Sequence, residues 1–349
     1  MQVTPNLSFG SNKIHPRVFE EYPFQIHQIQ AIRGVFCLHT PQGRKCLKRF
    51  KFSKAELIFS YQAIEHLAAN GFRGVARFLP TRSRQPYLEA EGELYFLTDW
   101  VSGHHCDYRN PQELALAAAT LARLHLASRG FTPPEGCPEK IRWGRWPEIF
   151  RHRTEELKEF LSMAQKNKPA NRLNRLYARY FPYYMRQAQQ ALALLEKSCY
   201  LRLCEEEKKQ QSFCHHDFAN HNVIITPQRE VYVVDFDYAI CDLRAHDLSS
   251  LLCRAARHQH WTPSLIAFVL EAYEKISPLV PGEIEVMHAF LTFPQDFWQL
   301  GVWLYLEKVK PEDSRIQRRI EQISREMANR ARFLQQLDRI ARQRSKNKT

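Results

Sequence analysis

The chain has 349 residues, of which 44% are hydrophobic and 25% are charged, and its formal net charge is +13. This length predicts two lobes, and this composition excludes a largely disordered chain. No apolar run reaches the roughly 18–20 residues that a membrane-spanning helix requires. The N-terminal residues lack the apolar core of a signal peptide, so we expect synthesis and function inside a cell.

The nine cysteines are scattered along the chain and odd in number, and they include no C-x-x-C pair. This pattern indicates neither a disulfide framework nor a zinc ribbon, and it favours buried, reduced thiols. The His-Cys clusters at 104–106 and 214–216 lack an established spacing of metal ligands. The positive charge favours acidic partners. A nucleic acid is not the expected partner, because the chain has no recognisable reader module.

We predict an N-terminal arm over residues 1–24 and a lobe of strands plus one helix over 25–101. Two runs, 26–40 and 44–50, read as strands around a turn at 41–43. A helix is predicted from a cap at Ser53 to Gly71. A further apolar strand ends at Asp99. Gly34 permits a tight turn between the first two strands, where backbone N–H groups can meet phosphate, in place of a glycine-rich loop.

Residues 102–310 read as a mainly helical lobe. A helix is expected between Asn110-Pro111 and Gly130, and helical periodicity dominates the insertion at 131–205. Residues 311–349 form a separate amphipathic helix with a basic outer face. Two interpretations of this face remain open, namely a docked helix with a solvated surface and a docking surface for an acidic partner.

The most informative stretch runs from residue 214 to residue 247. His215, Asp217 and Asn222 form an H-x-D-x-x-x-x-N pattern, and Asp235 follows an apolar run. A carboxylate in such a loop can accept the proton of an attacking hydroxyl, while the amide and the second carboxylate hold Mg²⁺ against phosphates. The spacing is nearly that of the protein-kinase catalytic loop. The alternative interpretation is that this segment is a simple β-hairpin without a catalytic role.

With these residues, the chain resembles the aminoglycoside phosphotransferase and choline kinase superfamily over about residues 25–300. Within that superfamily it is most similar to CotS-type spore coat proteins of endospore-forming bacteria. The broad resemblance is carried by Lys48, a Leu-Ala-Arg-Leu-His helix ending at 121–125, the catalytic-loop pattern and Asp-Phe-Asp at 235–237. The narrower one is carried by Gly-Val-Phe at 34–36, Lys-Cys-Leu-Lys at 45–48, Trp-Pro-Glu at 146–148 and the HHDFANHN run at 215–222.

The resemblance implies an α+β, two-lobed protein kinase-like fold, with a small antiparallel N-lobe sheet and a larger helical C-lobe. It implies that Asp217 is the catalytic base, that Asn222 and Asp235 are magnesium ligands, and that Lys48 binds the phosphates of ATP or another nucleoside triphosphate. His215 and Asp247 would support the loop, and Asp237 would lie near the metal or orient the loop. His216 stands where the family usually has glycine.

Two further groups complete the expected nucleotide site. The helix after the third strand supplies an acid for Lys48, and of Glu56 and Glu65 we favour Glu56. Backbone groups near Asp99 and Val101 would bond the adenine edge, as in a hinge between kinase lobes.

Two functions follow from the resemblance. The first is an ATP- and Mg²⁺-dependent phosphotransferase acting on a hydroxyl group of a small molecule or coat component. The alternative is a catalytically weak or inactive kinase-fold protein that serves coat assembly. Both imply other spore coat proteins as partners, with synthesis in the mother-cell cytoplasm and a final location in the coat. A cationic aminoglycoside is not the expected substrate, because the C-terminal half is strongly basic.

Overall fold

The computed structural model describes residues 14–166, 172–309 and 314–346. Residues 1–13 of the predicted arm lie outside the described residues, as does the predicted boundary at 310–311. The described chain divides into two compact units. The first comprises residues up to 106 together with 126–141 and 215–240, and the second comprises the remainder.

The first unit is built on a five-stranded antiparallel sheet in the order β1-β2-β3-β5-β4. Its strands are β1 (Gln28–Ile32), β2 (Val35–Thr40), β3 (Gly43–Phe50), β4 (Leu88–Ala90) and β5 (Glu93–Asp99). Arg33 and Gly34 join β1 to β2 with φ angles of 45° and 88°. A two-residue hairpin turn of this kind requires positive φ at both positions, which explains the glycine. The predicted strands and the tight turn are confirmed.

Two helices accompany the sheet, the short α1 (Arg17–Glu20) and the longer α2 (Lys54–Ala69). The Ser53 side chain caps α2, and the side chain of Glu56 bonds back to the Ser53 backbone. This reciprocal pair is a capping box, which satisfies two otherwise unpaired N–H groups. Asn70 and Gly71 follow the last helical turn, so both ends of the predicted helix are confirmed.

The segment 215–240 groups with this sheet, although we predicted that it belongs to the helical lobe. A second, three-stranded sheet explains the difference, with β6 (His104–His105), β7 (Val223–Ile225) and β8 (Val231–Val233) in that order. Val233 N–H donates to Gly74 O at 2.7 Å. At Gly103, a Cβ would lie only 2.4 Å from Ile225 O, so glycine is required for this close approach.

The second unit contains most of the helices. These include most of α3 (Pro111–Ala127), with α4 (Trp146–Lys166), α5 (Arg172–Lys197), α6 (Tyr200–Gln210), α7 (Ala245–His258), α8 (Ser264–Glu274), α9 (Glu283–Thr292), α10 (Gln295–Gly301), a π-helical turn (Val302–Leu306) and α11 (Ser314–Lys346). Tyr177 and Tyr184 of α5 stack on Phe297 with centroid distances of 4.3 Å and 4.6 Å. These two tyrosines are buried in the core. Among the described helices, none is long and apolar enough to cross a membrane.

Candidate active site

Lys48 lies at the centre of a cluster of charged groups in the first unit. It is on β3, where it pairs with Phe96 of β5. Its Nζ atom is 2.7 Å from Asp235 Oδ1 and 2.8 Å from Asp237 Oδ2. The lysine side chain is 16% exposed, so its ammonium group is largely withdrawn from water and depends on these two carboxylates.

The backbone after β8 brings both carboxylates to the same ammonium group. Asp235 adopts a left-handed conformation with φ of 67°, and a 3₁₀ turn (Phe236–Tyr238) follows it. Phe236 is buried against the ring of His215, with centroids 4.7 Å apart. Its carbonyl accepts a hydrogen bond from Ser60 Oγ of α2 at 3.0 Å. The turn is therefore fixed on both sides.

The two carboxylates differ in their affinity for protons. Burial raises the pKa of Asp235, but the charge and hydrogen bond of Lys48 outweigh burial, so the net shift is downward. Burial raises the pKa of Asp237 to about 6; Lys48 opposes this rise and Asp235 adds to it. One ammonium group thus keeps Asp235 ionised more effectively than Asp237. Asp235 is the better placed of the two to act as an anionic ligand.

Asp217 and Asn222 are joined directly. Asn222 Nδ2 donates to Asp217 O at 2.9 Å and to Asp217 Oδ2 at 3.1 Å. The Asn222 carbonyl accepts from Val234 N–H at 2.9 Å, immediately before Asp235. Asn222 thus connects the candidate base to the strand that carries the candidate metal acid. Its amide oxygen is the remaining side-chain group that suits a hard cation.

His215 lies beneath this loop and is fully buried. Its Nε2 atom is 3.0 Å from Val234 O, and its Nδ1 atom accepts from Asp217 N–H at 3.3 Å. A neutral ring protonated at Nε2 satisfies both contacts. His216 has φ of 68°, in the left-handed region that glycine adopts at least cost. A histidine in this conformation strains the backbone beside Asp217.

Glu56 does not pair with Lys48, contrary to our expectation. Its carboxylate accepts from Ser53 N–H and Oγ in the capping box, and it lies 3.7 Å from Lys140 Nζ. Glu65 pairs instead with Arg77, accepting from its Nε at 3.0 Å. Glu56 is the third residue of α2, so its carboxylate completes the capping box with Ser53 at the start of the helix.

Sequence reasoning missed Lys140. It stands in a connector rich in proline and glycine, where nothing marks a lysine as structural. It is 4% exposed, and its Nζ donates to Asp237 O at 2.7 Å. Burial lowers the pKa of Lys140, and Glu56 and Asp237 oppose that shift. Lys140 therefore links the first turn of α2 to the Asp235-Phe236-Asp237 turn.

The remaining expected nucleotide contacts lie on the same unit. Gly34 is in the β1–β2 turn, and Asp99 ends β5, where its carboxylate accepts from Lys45 Nζ at 2.5 Å. Trp100 N–H donates to Arg44 O at 3.0 Å, and Val101 follows, half-buried. The pKa of His105 is lowered by burial and then by its neighbours Arg33 and His221.

Asp247 is in the second unit, where it is fully buried. His125 Nε2 and His246 Nδ1 each lie 3.3 Å from its carboxylate. Burial raises the pKa of Asp247, but hydrogen bonds from the two histidines hold it well below its usual range. Cys214 completes a compact group with His125 and Asp247. Its thiol donates to Asp242 O at 3.4 Å, and burial raises its pKa, so the Cys214 thiol stays protonated beside the ionised Asp247.

The pKa of Asp237 leads to a prediction about stability. A folded-state pKa of about 6 lies above the unfolded value of 3.8. The protonated carboxyl therefore contributes stability that is full below about pH 4 and is lost as pH rises through 6. The Asp237→Asn substitution should raise the free energy of unfolding at pH 7.5 by up to about 3 kcal/mol, since the pKa is raised from 3.8 to about 6 and one pKa unit corresponds to about 1.4 kcal/mol.

Urea unfolding at pH 4.5 and pH 7.5 measures this effect, with the exposed Glu230→Gln substitution as the control. The control should leave the pH dependence unchanged. A loss of stability in Asp237→Asn that is larger at pH 7.5 than at pH 4.5 would show that pairing with Lys48 dominates instead.

Solved structures share this architecture. The crystal structure of an aminoglycoside phosphotransferase from Alicyclobacillus acidocaldarius matches with a TM-score of 0.84 and 25% identity, over 96% of this chain and 98% of that chain. Spectinomycin phosphotransferase APH(9)-Ia, solved with ADP and spectinomycin, matches with a TM-score of 0.61 and 13% identity, over 92% and 97% of the two chains. The chain therefore has a kinase-like α+β fold, and the predicted fold class is confirmed.

Two proteins of Bacillus subtilis are similar in sequence along most of their length. Spore coat protein S is 23% identical over 304 residues, which cover 85% of this chain and 86% of that protein. Endospore coat-associated protein YutH is 23% identical over 300 residues, covering 82% of each. The family model described as spore coat putative kinase YutH matches residues 16–337. The resemblance inferred from the sequence is confirmed, and the chain belongs to the YutH family of putative spore coat kinases.

Proposed function

We propose that this protein is a coat-associated phosphotransferase that transfers the terminal phosphoryl group of ATP, or of another nucleoside triphosphate, to a hydroxyl group. The acceptor is a small molecule or a component of the spore coat. The observation that carries the proposal is the joined set of Lys48, Asp235, Asn222 and Asp217 within one unit. A hairpin alone does not require these contacts.

The donor set fits Mg²⁺, because an ionised carboxylate and an amide oxygen are hard oxygen ligands. Asp235 and Asn222 would hold the ion, and the lowered pKa of Asp235 keeps that carboxylate anionic. When bound, Mg²⁺ neutralises the charge of the phosphate oxygens. Lys48 would contribute a second positive charge for the phosphates, and Arg33 is a further cation on the β1–β2 turn.

Asp217 is the group that would accept the proton of the acceptor hydroxyl. Asn222 Nδ2 bonds one carboxylate oxygen of Asp217, and His215 bonds the Asp217 backbone. Both contacts orient the carboxylate without protonating it. Backbone groups at Val101 and Asp99 would receive the base of the nucleotide. Related folds have been solved with ADP and with AMP-PNP, which supports nucleotide binding here.

A thermal melt with and without Mg-ATP tests the proposal. Ligand at 100 times its dissociation constant stabilises a folded protein by about 2.7 kcal/mol, so we expect the melting temperature to rise by a few degrees. The Asp235→Asn substitution should remove the dependence of this shift on Mg²⁺. The matched control is Glu93→Gln, which removes an exposed carboxylate of the same unit that pairs with Arg49.

No shift in the native protein, with or without Mg²⁺, would contradict nucleotide binding. A shift that is equal in Asp235→Asn and in the control would contradict the metal role of Asp235. In either case, the donor set would have to be reassigned.

The second candidate function is a structural coat protein that retains the kinase-like fold with little or no turnover. The strained His216 beside Asp217 favours it, as do the coat relatives and the two-residue turn that replaces a glycine-rich loop. Both candidates imply synthesis in the mother cell and incorporation into the spore coat. Spores carrying Asp217→Asn separate them. A coat defect equal to that of a deletion, despite normal incorporation, supports catalysis, and a normal coat supports the structural role.

A further inference from the structure

The outward face of α11 carries arginines at a constant interval of seven residues. Arg318, Arg325, Arg332 and Arg339 are all exposed, and we call these four the arginine stripe. An α-helix turns 700° in seven residues, so successive members of the stripe are displaced by only about 20° around the axis. They are about 10.5 Å apart along it. The four side chains therefore form one row along the helix.

The face around the stripe is almost free of negative charge. Between residues 314 and 344, the exposed charged side chains are seven arginines and a single acid, Glu321. The other three exposed arginines are Arg315, Arg342 and Arg344. A solvated helix face usually mixes the two signs of charge, which supports the helix through pairs at i and i+4. On this face arginines greatly outnumber acids, and such pairs are formed by Arg325 with Glu321 and by Arg342 with Asp338.

The arginines on the inner side of α11 are used by the fold. Arg319 Nη1 lies 3.1 Å from Asp296, and Arg330 Nη2 donates to Leu291 O at 2.7 Å. Burial of Ile316, Phe333 and Leu337 holds the helix in place beside them. Inward-facing arginines therefore bond the rest of the fold, and none of the four stripe arginines is among them.

The stripe itself is largely unneutralised. Within the described part of the chain, only Arg325 has a carboxylate at ion-pair distance, that of Glu321 at 3.5 Å. Arg318 donates to Ser314 O at 3.1 Å, and Arg332 donates to Asn329 Oδ1 at 2.6 Å. Neutral partners leave the positive charge uncompensated. The spacing of about 10.5 Å is close to the Debye length, so the row costs little in self-repulsion.

We propose that the arginine stripe is a docking surface for an acidic segment of another protein of the coat. On an acidic helix, carboxylates at every seventh residue lie on one face and recur at about 10.5 Å, which matches the stripe. Duplex DNA carries one charge per about 1.7 Å, a much denser pattern than this single row. The proposal rests on the coat association proposed above and is independent of phosphoryl transfer.

The test uses the full chain and a polyglutamate peptide of about thirty residues as the probe. The stripe variant carries Arg→Gln at all four positions. The control variant carries Gln in place of four exposed basic residues on other helices of the second unit, namely Arg123, Arg179, Lys208 and Lys209. Both variants lose four positive charges, so non-specific attraction falls equally in both.

We expect the peptide to bind the stripe variant about ten-fold more weakly than the native chain and to bind the control with a change of about two-fold or less. A third variant with Arg→Lys at the four positions keeps the charge and should retain binding. An unchanged melting temperature and an unchanged Mg-ATP shift in the stripe variant separate this result from a failure of folding or of the active site. Equal weakening in the stripe and control variants would overturn the proposal. So would tighter, stripe-dependent binding of a duplex DNA, which would indicate a nucleic-acid surface.

Discussion

The Asp217→Asn substitution should lower phosphoryl transfer by a factor of about 10² to 10⁴, the usual contribution of a general base. Asparagine has nearly the same shape but cannot accept the proton of the acceptor hydroxyl. Because Asp217 is not one of the proposed phosphate or metal groups, stabilisation by Mg-ATP should persist. The assay is ADP formation from ATP in the presence of a solubilised coat extract as the source of acceptor.

The matched control for this prediction is Glu230→Gln, an exposed carboxylate in the same segment of the chain. It should retain full turnover. Turnover in Asp217→Asn equal to that of the control would remove Asp217 from the mechanism. An absence of turnover in the native protein, with a clear Mg-ATP shift, would favour the structural role with retained nucleotide binding.

The Lys140→Met substitution should cause a large loss of stability at the candidate site. Removing a buried ammonium group leaves the Glu56 carboxylate and the Asp237 carbonyl without their donor, and breaking a buried pair costs 3–5 kcal/mol in other proteins. Glu56 is 17% exposed and keeps its bonds to Ser53, so we expect a smaller loss of about 2–4 kcal/mol. The midpoint of urea unfolding measures this loss.

Lys158→Met is the control for this change, since Lys158 forms an exposed pair with Glu155 on α4. Exposed pairs contribute at most about 1 kcal/mol, so the control should shift the midpoint little. We also expect the Mg-ATP shift of Lys140→Met to be reduced, because Lys140 fixes the turn that carries Asp235. Equal midpoints for the two variants would contradict the proposed role of Lys140.

Local patterns were sufficient to predict much of the fold. Some features depend only on neighbours in sequence. These are strands β1 to β3, the capping box of α2 and the apolar runs that form β7 and β8. The position of Lys48 followed from the third strand. The spacing of Asp217, Asn222 and Asp235 likewise identified groups that the structure brings together.

Other features depend on contacts that no local pattern reports. Lys140 bonds a carbonyl 97 residues away, and Lys48 meets a carboxylate 187 residues away. The spacing Ser53-x-x-Glu56 is that of a capping box. A carboxylate used in a capping box is not expected to pair with Lys48 as well. Residues 215–240 group with the five-stranded sheet because their backbone bonds that of Gly74 and Cys106. Neither glycine nor cysteine at these positions predicts such backbone pairing from the sequence.

Assignment of 215–240 to the sheet-containing unit has a consequence for the energetics of the site. Lys48, Asp217, Asn222 and Asp235 all belong to that unit, so their mutual distances depend on its internal packing alone. The dipoles and charges of the site are therefore preorganised. Folding has already supplied the free energy needed to orient them, so the proposed phosphoryl transfer would require little reorganisation as charge develops.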